Sequence, residues 1–185
     1  MIGQPSKIIR LKVHEISKLQ ADGTQYLLIL KEVDGKMLMP VLLDKREAED
    51  LLFASNREPK FHAPWTRIMK SLGTELGFVV EGVILTEIRG TRYMAQVQLL
   101  HNGVNFSMEM DAIQAIIMAL AFRCPIFIEE ALFAQQHSHS DAQGAVSLPI
   151  NTLTLPMLED VLRDALRDEN YELASHIRDE IKRRR

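Results

Sequence analysis

Apolar and polar positions alternate with a period of two from Ile8 to Ile16, and this predicts a strand with Ile9, Leu11, Val13 and Glu15 on one face. Gln20-Ala21-Asp22-Gly23-Thr24 contains an Asp-Gly turn pair. Tyr26 to Val33 is nearly continuous apolar sequence, the pattern of a central strand. Asp34-Gly35 then turns the chain into Met37 to Leu43, completing an antiparallel meander. The period changes at Asp44. Asp44-Lys45-Arg46-Glu47 sets an N-cap residue three positions before a glutamate, the spacing of a capping box. A helix over Lys45 to Ala54 is expected, with Ala48, Leu51 and Leu52 turned inward. Ser55 to Pro64 reads as a loop. A second helix, Trp65 to Leu76, has Ile68, Met69, Leu72 and Leu76 at helical spacing and stops at Gly77.

A second meander follows: Phe78 to Ile88, Arg92 to Leu100 and Val104 to Met108, joined by Arg89-Gly90-Thr91 and Asn102-Gly103. Ala112 to Phe122 then holds one polar residue, Gln114, and a helix apolar on nearly every side is a buried one. Asp111 suits the positive end of that helix and Arg123 its negative end. Pro125 ends the helix, Ile126 to Ile128 reads as a short buried strand, and a short helix over Glu129 to Ala134 closes the domain near Gln136. Residues 137–152 are small, polar and turn-rich, as a linker is. His137 and His139 stand in it without the fixed geometry a metal needs. In residues 153–185, Leu158, Leu162, Ala165 and Leu166 form one helical stripe, and Tyr171, Ala174, Ile177 and Ile181 form another, with Asn170 placed to cap the second helix. The expected architecture is α+β. Two antiparallel β-meanders pack around a buried central helix in residues 1–136, and a C-terminal α-helical hairpin occupies 153–185.

The chain has 185 residues, 46% of them hydrophobic, enough for one packed domain and a small appendage. No apolar run reaches membrane-spanning length, and the first residues lack a signal-peptide core, so no membrane association is expected. A single cysteine fits a reducing compartment, and a cytoplasmic location is expected. The formal net charge of −3 argues against polyanion binding by the whole surface and leaves room for a local basic patch. Exposed apolar strand edges predict a homo-oligomer.

Several segments carry a resemblance. Met39-Pro40-Val41-Leu42-Leu43-Asp44-Lys45-Arg46-Glu47-Ala48-Glu49 looks like a strand followed by a glutamate-alanine helix start. Pro59-Lys60-Phe61-His62 looks like a proline-histidine loop, Gly90-Thr91-Arg92-Tyr93 like a hairpin turn, and Ala115 to Phe127 like an Ala-Ile helix ending in Pro-Ile-Phe. Together, residues 8 to 134 resemble the bacterial and plant bifunctional nuclease family, which implies hydrolysis of DNA and RNA phosphodiesters. The chain departs from that pattern at Glu109 to Ala115, where the family's arginine, serine and second aspartate are replaced, and Asp111 stands in place of the arginine. Residues 155 to 183 resemble the UVR motif of the UvrB and UvrC repair proteins, through Leu158-Glu159, Asn170-Tyr171-Glu172, Ala174 and Ile177-Arg178-Asp179-Glu180-Ile181. That resemblance implies a protein-interaction hairpin, with Leu158, Leu162, Tyr171, Arg178 and Asp179 as partner-binding candidates.

Phosphodiester hydrolysis needs an activated water, a charge sink and, in most enzymes, Mg²⁺ or Mn²⁺ on carboxylates. The catalytic candidates are Glu47, His62, Glu109 and Asp111, with Glu47 and Glu109 as candidate ligands of a divalent metal. Each has a structural alternative. Glu47 can complete the capping box of Asp44, Asp111 can cap the central helix, and Glu109 can pair with a nearby cation. His62 can act as base or ligand, or simply sit in its loop. Glu49 and Asp50 fit a solvated helix face, Trp65 fits core or interface, and Met108, Met110 and Met118 fit packing. Two functions follow: a nuclease, or a catalytically weak nuclease-like binding protein acting through its hairpin.

Overall fold

The first strand, β1 (Ile8–Lys18), keeps its alternation only as far as Val13. A β-bulge between Val13 and Glu15 resets the register, so Glu15 is exposed and Ile16 packs on the core instead. The computed structural model describes residues 7–19, 25–56, 64–136, 150, 153 and 155–184. The Asp-Gly segment at 20–24, the loop at 57–63 and the linker at 137–149 lie outside the described residues. β1 pairs antiparallel with β2 (Gln25–Glu32), which pairs antiparallel with β3 (Leu38–Asp44). The second meander is β4 (Phe78–Arg89), β5 (Arg92–His101) and β6 (Val104–Asp111). The two meanders form one sheet. A four-residue strand, β7 (Ile126–Glu129), lies between them, antiparallel to β1 and parallel to β4. The order is β3-β2-β1-β7-β4-β5-β6.

Helices α1 (Lys45–Ser55) and α3 (Ala112–Phe122) pack against each other, and α3 lies on β4 and β5. The inward stripe of α1 is Glu47, Ala48, Leu51 and Ala54. Leu52 was expected to face inward and is exposed, because the stripe at 100° per residue passes through Leu51 and leaves its neighbour outside. In α3 the expected burial is found: Gln114, Leu120 and Phe122 are half-buried, while Ile116 and Ile117 are fully covered and Met118 nearly so. Each such side chain contributes about 1.5–3 kcal/mol relative to remaining exposed. The helix ends at Arg123, which adopts left-handed backbone (φ 58°) where glycine is more usual. Its N–H donates to the carbonyls of Ala119 and Leu120, and the Cys124 N–H donates to Ala119 at 3.0 Å. Burial raises the Cys124 thiol to about 11, so it stays protonated at neutral pH.

The second helix, α2 (Pro64–Leu76), turns Thr66 and Gly73 inward. Gly73 lets the helix approach the sheet: a Cβ there would lie 3.2 Å from the Phe78 carbonyl oxygen. Gly77 closes the helix at φ 72°, donating its N–H to the Gly73 carbonyl at 2.9 Å. Helix α4 (Glu130–Gln136) follows β7. The C-terminal helices α5 (Leu155–Arg167) and α6 (Tyr171–Arg184) form the expected hairpin, with Asn170 Oδ1 accepting the Leu173 N–H at 3.2 Å. Leu153, Leu158, Ile177 and Ile181 make a cluster of their own, separate from the core of the sheet domain.

Candidate functional site

Each meander ends in an aspartate that caps the next helix, and the two caps meet at one arginine. At the end of β3, an Asp44 carboxylate oxygen accepts the Glu47 N–H at 2.8 Å, while Glu47 Oε2 accepts the Asp44 N–H at 2.9 Å. This is the capping box expected from the spacing. At the end of β6, Asp111 Oδ1 accepts the Ile113 N–H at 2.9 Å and the Gln114 N–H at 3.5 Å. The remaining oxygens of both carboxylates face Arg92 of β5. Its Nη2 lies 2.8 Å from Glu47 Oε1, and its Nε donates to Asp111 Oδ2 at 2.9 Å. Glu47 is the one buried charged residue among the described residues, and Arg92 is its neutralising partner. Burial works against the charge on Arg92; Glu47 and Asp111 more than offset it, so its pKa rises further above the usual arginine range.

A second ion-pair group adjoins the first. Arg89 and Arg92 are register partners across the Gly90-Thr91 turn. Arg89 grips Glu109 of β6 in a fork, at 2.9 Å to Oε1 and 3.2 Å to Oε2, and also donates to Glu87. The hydrogen bonds and the charge of Arg89 hold the Glu109 carboxyl below the ordinary glutamate range. The end of the β4–β5 hairpin thus gathers Glu47, Glu87, Glu109 and Asp111 around two guanidinium groups. The N-termini of α1 and α3 each add about half a positive charge there. This partly offsets the excess of carboxylate and explains why it is tolerated.

Beside Arg92 lies a small cleft with about 30 Å³ of free space, room for a water or two. Val41, Leu42 and Ile113 line its apolar side, and Thr91, Arg92 and Asp111 its polar side. Tyr93 backs it, its hydroxyl donating to Gln136 Oε1 at 2.9 Å. Two of the five Arg92 N–H donors are committed to Glu47 and Asp111. The others can take a phosphate oxygen while the carboxylates fix the plane of the guanidinium. The fit to a divalent metal is poorer. Both oxygens of Glu47, Glu109 and Asp111 have protein donors, and among the described residues no three His, Cys, Asp or Glu side chains gather to hold an ion.

Three of the sequence-predicted catalytic residues, Glu47, Glu109 and Asp111, therefore come together at one hairpin end. The fourth, His62, lies outside the described residues. Glu49 and Asp50 stay on the outer side of α1, where Glu49 lies 4.0 Å from Lys45. Trp65 packs half-buried on the core, Met118 is buried, and Met108 is exposed. Among the hairpin candidates, Leu158 is fully buried and Leu162 packs beside it, while Tyr171, Arg178 and Asp179 are exposed. Sequence reasoning missed Arg89 and Arg92. The available signal was their position flanking a Gly-Thr turn, with acidic residues on the neighbouring strand.

No helix among the described residues is long and apolar enough to cross a membrane. A comparison with curated proteins returns no match. The family model described as the bifunctional nuclease domain matches residues 28–141, more than half of the chain. The match begins within β2 and covers β3, the second meander, both aspartate caps, Arg92 and β7.

Proposed function

The chain belongs to the bifunctional nuclease domain family, and from that premise we propose that it binds DNA or RNA at the end of the β4–β5 hairpin and hydrolyses phosphodiester bonds there. The observation that carries the reading is Arg92: a partly exposed guanidinium in a cleft, oriented by two carboxylates, with N–H donors to spare. Such a group binds a phosphate oxygen and stabilises charge that develops on it. Glu47 and Asp111 act as positioning residues through Arg92. Were Mg²⁺ or Mn²⁺ to enter, Glu47 and Glu109 would have to exchange arginine for the cation.

The test uses the full chain with single- and double-stranded DNA and RNA, in Mg²⁺, in Mn²⁺ and in chelator. Cleavage by the wild type that falls by about a hundredfold in Arg92→Ala, the scale of losing one transition-state donor, supports the reading. Substrates that remain intact at high protein concentration in every metal condition would sink it.

A second reading has its own observation. The oxygens of Glu47, Glu109 and Asp111 are occupied by structural partners, and the C-terminal hairpin exposes Leu166 and Tyr171. In that reading the domain binds nucleic acid weakly or not at all, and the hairpin, as a UVR-type module, docks a protein partner through Tyr171, Arg178 and Asp179. Leu158 and Leu162 hold its shape. Captured partners that are unchanged after Tyr171→Ala with Arg178→Ala would remove this role.

A further inference from the structure

The two ends of α3 are both marked by arginine, in opposite electrostatic settings. At the N-cap, Arg92 is held between carboxylates. At the C-cap stands Arg123, about 18 Å away along the helix at 1.5 Å per residue. There α2 packs beside α3, and Lys70 Nζ lies 5.7 Å from the centre of the Phe122 ring. Lys70 is half-buried, and Arg123, the residue after Phe122, is exposed. Arg67 is about 60° from Lys70 round α2, at 3.6 residues per turn, so it shares that flank. It too is exposed.

This group has no counter-charge. Arg89, Arg92, Arg163, Arg167 and Arg183 each reach a carboxylate at 2.7–3.2 Å. Among the described residues no carboxylate pairs with Arg67, Lys70 or Arg123. Burial, and after it the like charge of Arg123, hold the Lys70 ammonium below the ordinary lysine range. A charge drawn out of water calls for an opposite partner, and the charge acting on Lys70 has the same sign. The C-terminus of α3 adds about half a negative charge, less than the cations bring. The surplus suits an anion that lysine and arginine bind together. Because Arg67 and Arg123 are both open to solvent, a chain of phosphates can lie across all three. The formal net charge of −3 confines polyanion binding to a local patch, and this is such a patch.

We propose that Arg67, Lys70 and Arg123 form a second contact for the sugar-phosphate backbone of DNA or RNA, at the end of α3 remote from Arg92. The proposal rests on the nucleic-acid reading above. The contact positions the strand and reads no sequence.

The test is fluorescence anisotropy of the full chain with labelled single-stranded DNA and RNA of about 20 nucleotides, in chelator, between about 50 and 200 mM salt. Lys70→Met keeps an apolar stem against Phe122, and Arg123→Gly suits the left-handed backbone at φ 58°. The double variant should bind about tenfold more weakly, alike for all sequences. The slope of log K against log salt should fall by about 1.4, two contacts at about 0.7 each. Its thermal midpoint should not drop, whereas a purely structural role would lower it. Should the double variant misfold, Arg67→Gln with Lys70→Gln carries the same expectation. Unchanged affinity and slope, with cleavage still lost in Arg92→Ala, overturn this proposal and leave the Arg92 reading standing. A wild type that binds neither DNA nor RNA overturns both. A double variant that keeps its nucleic-acid affinity and loses binding to vesicles of anionic lipid overturns the proposal in favour of a membrane surface.

Discussion

The two meanders follow the same plan and differ in what they do with it. Each runs three antiparallel strands into an aspartate and then directly into a helix: β1-β2-β3-Asp44-α1, and β4-β5-β6-Asp111-α3. In the first, the capping box is complete within four residues, because Glu47 returns the hydrogen bond of Asp44. In the second, Gln114 occupies the equivalent place and no reciprocal bond forms among the described hydrogen bonds. Asp111 instead offers its second oxygen to Arg92, which also takes the spare oxygen of Glu47. The first meander closes its cap locally, and the second leaves its cap open to a long-range partner. The difference teaches that a cluster of linked ion pairs can be assembled from capping groups by adding one arginine on a neighbouring strand.

The largest effect should separate the two helices that follow the meanders. Ile116→Ala in α3, enclosed on all sides, should cost about 4 kcal/mol in urea unfolding, and Leu51→Ala in the one-sided α1 about 3, because an enclosed site collapses less around the cavity. Equal costs would erase that distinction. Next, Arg92→Ala strips a partner from both caps at once. Removing one member of a buried pair costs about 3–5 kcal/mol. Because Arg92 is half exposed, we expect about 2 kcal/mol, measured at neutral pH and moderate salt. A loss below about 0.5 kcal/mol would mean that the two caps are independent.

The caps themselves come third. Asp44→Ala should cost about 1 kcal/mol, the usual value of an N-cap, and Asp111→Ala about 2, because it removes a cap and an ion pair together. In the double variant Arg92→Ala/Asp111→Ala the costs should fall short of additive, since both remove the same contact. The smallest effect concerns pH. Glu109 is exposed at the surface, and Arg89 holds its carboxyl below the ordinary range. A lowered folded pKa gives stability that is present above the unfolded value, about 4.3, and is lost as pH falls through the lower folded value. Glu109→Gln should therefore flatten the acid side of the stability profile below about pH 4.3 and leave the neutral side nearly unchanged. An unchanged acid limb would show that the Arg89 fork has no thermodynamic weight.

Much of this comparison could be read from the chain, for identifiable reasons. α3 was legible because eleven residues with a single polar one admit no surface helix. The Asp44–Glu47 box was legible because its spacing is its mechanism. The union of the meanders was not. β7 is four residues long, and a short apolar run says that it is buried without saying beside which strands. The bulge before Glu15 was hidden for a similar reason: one extra residue in a strand leaves composition untouched and reverses every face beyond it. Arg89 and Arg92 were passed over because an arginine on a strand reads as a solvated face, and only the register across the turn brings them together. Periodicity found the stripe on α2, but spacing alone cannot tell that Ile68, Leu72 and Leu76 stay exposed while Thr66 and Gly73 turn inward.

The position of β7 also bears on how the molecule reaches its fold. Ile8 pairs with Glu129, and Val83 with Ile126, so the strand that joins the halves is the last of the sheet to be synthesised. Until it arrives, β1 and β4 are open edges on two separate three-stranded ribbons, each stable only in part. Joining them closes a loop of more than a hundred residues, the kind of distant pairing that makes folding slow. Two unpaired edges during that interval are where the chain is most exposed to mispairing with another copy. Substitutions in Ile126-Phe127-Ile128 should accordingly lower the yield of folded protein more than they lower the stability of what has folded.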